Sequence, residues 1–97
     1  MTQSVINLIS TRQAEATSNG WLICYVGDRF LAGTPQLDSV SETWRIPILY
    51  VYPRRGALGS VGEMTIDATT GEISDCPAVE HLKRQARALY ESHLNPG

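Results

Sequence analysis

The sequence predicts a small α+β domain: an N-terminal helix, a three- or four-stranded antiparallel sheet and a C-terminal helix. Three observations carry that expectation. Residues 75–94 place Val79, Leu82, Ala86, Leu89 and Tyr90 at helical spacing among charged neighbours. Residues 43–52, "TWRIPILYVY", and 60–67, "SVGEMTID", alternate apolar and polar side chains as strands do. Glycine-bearing turn segments, "PRRGALG" and "DATTGE", separate and close these runs. A chain of 97 residues holds one hydrophobic core, so residues 1–97 read as a single domain. With 42% apolar and 19% charged residues, that core is packed rather than disordered.

Taken in order, residues 11–27 admit two readings. Thr11 suits a helix cap, and Ala14, Ser18, Trp21 and Tyr25 then share a face that stops at Gly27. Against this, Gly20 costs a helix interior roughly 1 kcal/mol, and Asn19-Gly20 is a turn signal before a strand "WLICYV". Propensity leaves the two balanced. Residues 29–37 read as extended, with Phe30, the single phenylalanine, in the core. In the next strand Trp44, Ile46, Ile48, Tyr50 and Tyr52 share one face, and Leu49 and Val51 the other. Pro47 cannot donate to a ladder and calls for a bulge or an unpaired start nearby. In 60–67, Met64 and Ile66 oppose Glu63 and Thr65. The last helix takes Asp75 as cap and Pro77 in its first turn, with Glu80–Arg84 and Arg87–Glu91 as i,i+4 ion pairs. Asn95, Pro96 and Gly97 end it.

The ending of the last strand, "TIDATTGE", resembles the hydrophobic-x-hydrophobic-Asp-Ala-x-Thr-Gly-Glu pattern that closes PepSY-type domains, and 11–27 is similar to their opening helix. The resemblance covers residues 9–74. It implies a helix laid across a small antiparallel sheet, a shape also similar to cystatin-like folds, and it favours the helix over the hairpin at 11–27. It also implies a partner-binding or peptidase-inhibiting module. The chain departs from that pattern in its added C-terminal helix and in showing no export signal.

Eight basic against ten acidic residues give a net charge of −2 and an isoelectric point near 5.5, the wrong sign for a domain held on nucleic acid by phosphate contacts. Two small basic spots remain, Arg54–Arg55 and Lys83–Arg84–Arg87. No basic segment precedes the short apolar run 5–9, and no stretch is long enough to span a bilayer, so the expectation is a cytoplasmic protein without a membrane partner. Cys24 and Cys76 lie apart with no CxxC spacing and read as small buried apolar residues.

Groups for chemistry are few. His81 and His93 stand about 18 Å apart along one helix and cannot share a metal within it. Cys76 at a helix start, with His81 five residues on, is the sharpest nucleophile pairing, but five residues turn the helix by about 500° and separate the two. Asp67 and Glu72 bracket a turn rather than a cleft, and Asp67 reads as an acceptor for amides of its own turn. No cofactor is expected. The candidate anion or partner contact is the loop with Arg54, Arg55, Gly56 and Gly59. The candidate small-ligand pocket lies beside Trp44, Tyr50 and Tyr52. The expected role is a non-catalytic interaction or regulatory module acting through a protein partner or as a homodimer. A peptidase-regulating partner and a small-ligand domain with its pocket between helix and sheet are the alternatives.

Overall fold

A computed structural model describes residues 8–94; expectations for 1–7 and for the stop at 95–97 lie outside them. The order is α1 (Thr11–Tyr25), β1 (Phe30–Ala32), β2 (Gln36–Asp38), β3 (Thr43–Tyr52), β4 (Gly56–Asp67), β5 (Ile73–Asp75) and α2 (Val79–Leu94). The fold is α+β as expected, with five strands where three or four were counted. All pairings are antiparallel: β3 pairs β4 along its length, β1 and β2 share the other edge of β3, and β5 pairs β4.

The helix wins over the hairpin at 11–25, and its cap is Ser10, one residue before the expected Thr11. Ser10 Oγ accepts from Gln13 N at 3.1 Å while Gln13 Oε1 accepts from Ser10 N at 2.8 Å, a reciprocal capping box. Asn19 has a tertiary use that local propensity hides: its Oδ1 accepts the Ala32 amide at 2.8 Å, tying α1 to β1. The buried stripe is Ala14, Ser18 and Leu22. Trp21 is half-buried and Tyr25 exposed, so the core face is rotated from the one the spacing suggested. Ser18 satisfies its hydroxyl by donating to Ala14 O at 2.9 Å. A Cβ on Gly20 would meet nothing within 4 Å. Gly20→Ala is therefore expected to stabilise the domain by about 1 kcal/mol, because it removes backbone freedom from the unfolded chain without a clash. Urea denaturation measures this, and an unchanged or lowered midpoint contradicts it.

Trp44, Ile46 and Ile48 of β3 and Val61, Met64 and Ile66 of β4 face both helices and form one cluster with Leu22, Val26, Phe30, Leu82 and Ala86. Among the described residues the opposite sheet face has no helix on it. There Arg45 and Glu63 pair at 3.2 Å, both largely exposed, an interaction worth at most about 1 kcal/mol. Pro47 accepts from Gly33 N at 2.7 Å, so its own nitrogen, on the same side of the strand, points at the gap between β1 and β2. The missing donor thus falls where the edge is already broken. The β3–β4 register shifts beside it, between Ile48 and Leu49, and again between Tyr50 and Val51.

The loop expected at 53–59 contracts to a tight turn, Arg55 N donating to Tyr52 O at 3.1 Å, and β4 begins at Gly56. At the other end of β4, Asp67 Oδ1 accepts Thr69 N (2.8 Å), Thr69 Oγ1 (2.6 Å) and Thr70 N (3.1 Å). Gly71 takes φ +80 to reverse the chain. This is the turn read from the sequence, and it brings back a strand too short to show a pattern. Because Asp75 ends β5, α2 starts four residues later than expected, with Leu82 N donating to Ala78 O at 3.1 Å and Pro77 ahead of the helix. The same turn secures the start of α1: Ile9 N donates to Ala68 O at 2.7 Å, and Trp44 Nε1 donates to Ile9 O at 3.1 Å.

The three bonds to the Asp67 carboxylate hold its pKa below the ordinary aspartate value, the Thr69 hydroxyl first and the two amides after it. A folded pKa below the unfolded one adds stability that is full above the unfolded value and lost as pH falls through the folded value. Melting temperature is thus expected to drop on acidification below the ordinary carboxylate range, and Asp67→Asn to flatten part of that drop. Equal slopes in the two proteins contradict the assignment.

Candidate ligand groove

On the helix-covered side, α2 does not meet the α1–β1 connection along its whole length. Between them lies an open groove of about 360 Å³, lined by Gly27, Asp28, Arg29, Phe30 and Tyr50 on one side and Lys83, Ala86, Arg87 and Tyr90 on the other. Its volume falls in the range of small-molecule sites. Ala86, at the centre of the α2 stripe, contributes only a methyl to this lining.

Local structure explains each wall. Gly27 N and Val26 N both donate to Leu22 O at 2.8 Å, which ends α1 and sends the chain through Asp28 and Arg29. Arg29 O accepts Val51 N at 2.8 Å, pinning that turn to the end of β3. The Arg29 guanidinium lies over the Tyr52 ring, 4.4 Å from its centroid. Tyr52 stacks on Tyr90 at 5.0 Å, Tyr50 meets Tyr52 at 5.6 Å, and Phe30 meets Tyr50 at 5.2 Å. A continuous aromatic row thus joins β1, β3 and α2 beside the groove. On α2, Lys83, Ala86, Arg87 and Tyr90 occupy positions i, i+3, i+4 and i+7 of one face.

The electrostatics are unbalanced. Arg29, Lys83 and Arg87 supply three positive charges and Asp28 one negative charge. Among the described residues the only ion pair is Arg45–Glu63, so the expected Glu80–Arg84 and Arg87–Glu91 pairs do not close. The Tyr52 phenol titrates above the ordinary tyrosine value, chiefly through the neighbouring Tyr50 hydroxyl and then through lost hydration, while Tyr90 and Arg29 pull the other way. It is a neutral hydrogen-bonding group near pH 7, not a base.

The residues singled out from the sequence are divided by the fold. Tyr50 lines the groove and Tyr52 stands behind its wall, whereas Trp44 is buried at the far end of β3 with its indole bonded to Ile9. Trp44 therefore belongs to the core and supplies no pocket surface. Arg54, Arg55 and Gly56 sit exposed at the β3–β4 turn. Gly59 is not with them: it lies inside β4, where an added Cβ would meet Leu89 Cδ1 at 3.2 Å. Cys76 is half-buried against the core, as a small apolar residue would be, but Cys24 is exposed on α1. His81 is exposed. Among the described residues no group of three or more His, Cys, Asp or Glu is placed to hold a metal ion, and no helix is long and apolar enough to cross a membrane.

Arg29, Phe30, Ala86 and Tyr90 were not marked as site residues by the sequence. The one usable signal was the basic spot Lys83–Arg84–Arg87, two members of which reach the groove. Comparison with protein-family models, with curated proteins and with solved structures finds no match, so the likeness to PepSY domains stands on its quoted residues alone.

Proposed function

We propose that this chain is a non-catalytic binding module of the cytoplasm, and that its binding surface is the groove between α2 and the sheet. The observation that carries the reading is a ligand-sized hollow with an aromatic floor and three cations against a single carboxylate, Asp28. Its tyrosine neighbour is held protonated and His81 faces solvent, which supports binding without chemistry. Screening a fragment set by amide-resolved NMR tests it. Saturable shifts at residues 27–30, 50 and 83–90 are expected, and a set that leaves those amides unmoved sinks the reading.

A second reading, self-association, is favoured by the helix-free sheet face. Leu31, 40% exposed, pairs across the strands with the half-buried Leu49, and Pro47 lies on the same face, an apolar strip of the kind that pairs copies. Trp44, already buried, contributes nothing to it. Sedimentation at rising concentration is expected to show a dimer that Leu49→Asp abolishes; a monomer throughout removes this reading.

A further inference from the structure

The groove also discriminates among ligands, and this inference rests on its being the binding surface. We infer that it takes a small molecule built from a planar aromatic ring bearing one anionic group, carboxylate or phosphate. The ring is set by the floor. Phe30, Tyr50 and Tyr90 present faces and edges across a hollow of about 360 Å³, and aromatic rings prefer offset or edge-to-face partners at the spacings this row already uses among itself.

The anion is set by the rim. Lys83 and Arg87 are like charges one helical turn apart, an arrangement that destabilises a free helix. With Arg29 opposite and Asp28 as the only carboxylate, the rim keeps a surplus of two positive charges. An anion seated there relieves that repulsion, and the apolar floor reduces the screening that weakens ion pairs in open water. Arg29 is the best placed of the three. Its guanidinium is steadied on Tyr52 and its backbone on Val51, so little side-chain freedom is lost on binding. Ring and charge must be joined, because floor and rim belong to one hollow.

Phenyl phosphate and phenylacetate are the probes for the joined chemistry, with inorganic phosphate and benzyl alcohol for its halves, each titrated by amide-resolved NMR. The joined probes are expected to bind saturably at residues 27–30, 50 and 83–90, at least tenfold tighter than either half. Lys83→Ala combined with Arg87→Ala is expected to weaken them about tenfold while leaving benzyl alcohol unchanged. Ala86→Leu, which narrows the hollow, is expected to block the ring-bearing probes, with the melting temperature reporting that the fold persists. Equal affinity for benzyl alcohol and phenyl phosphate overturns this inference and leaves the binding-module reading intact. Groove amides that respond to no probe and to no fragment overturn both. Shifts confined to Arg54 and Arg55 place the anion at the hairpin turn and overturn the groove assignment.

Discussion

Replacing Trp44 by alanine is expected to destabilise the domain by about 3–5 kcal/mol, the usual cost of deleting a buried indole. The side chain is only 8% exposed and packs in the single core cluster. Its Nε1 is the donor that holds Ile9 O at 3.1 Å, so the substitution removes both apolar contact and the attachment of the chain entering α1. A domain of this size has roughly 5–15 kcal/mol in total, which makes the loss a large share of its stability. Trp44→Phe separates the two effects. It keeps most of the apolar body and gives up the indole bond, so a smaller loss of about 1–2 kcal/mol is expected. Equal losses in the two variants, by urea denaturation, would show that the hydrogen bond rather than the packing carries the effect.

Gly62→Val is expected to cost about 1–3 kcal/mol and to weaken groove binding together with stability. A Cβ at Gly62 would lie 3.0 Å from Leu82 Cδ2 and 3.2 Å from Pro77 Cγ. Leu82 is the fully buried anchor of α2, and Pro77 belongs to the segment that leads into that helix. Valine's two methyls therefore push α2 away from β4, and Lys83, Ala86, Arg87 and Tyr90 move with it. Gly59 beneath Leu89 serves the same approach further along the strand. A Gly62→Val protein with unaltered stability and unaltered groove amides would show that α2 yields without cost.

How much was legible follows from what each element depends on. The C-terminal helix and strands β3 and β4 were readable because their patterns are long and their faces differ sharply. The turn at Asp67 was readable because an Asx acceptor and a positive-φ glycine are local requirements. Asn19-Gly20 misleads for a tertiary reason: the asparagine is spent on the Ala32 amide, an interaction across thirteen residues that no window of propensity contains. Strand β5 has three residues and exists only because β4 offers it an edge. The groove was hidden for the same kind of reason. Arg29 and Lys83 are fifty-four positions apart (83 − 29) and meet only when α2 folds back on the sheet. Trp44 and Tyr50 looked alike by alternation, yet one is sealed under Ile9 and the other borders the hollow.

The fastening of Ile9 to Ala68 and Trp44 fixes where a tether can be placed. Ile9 is held at the Trp44 end of β3, and the hollow borders Tyr50, six residues and about 20 Å along the strand. A surface linker, affinity handle or fluorophore joined at residue 8 therefore leaves from the side remote from the hollow. The same attachment at residue 94 would leave from the helix whose face forms one wall of the hollow.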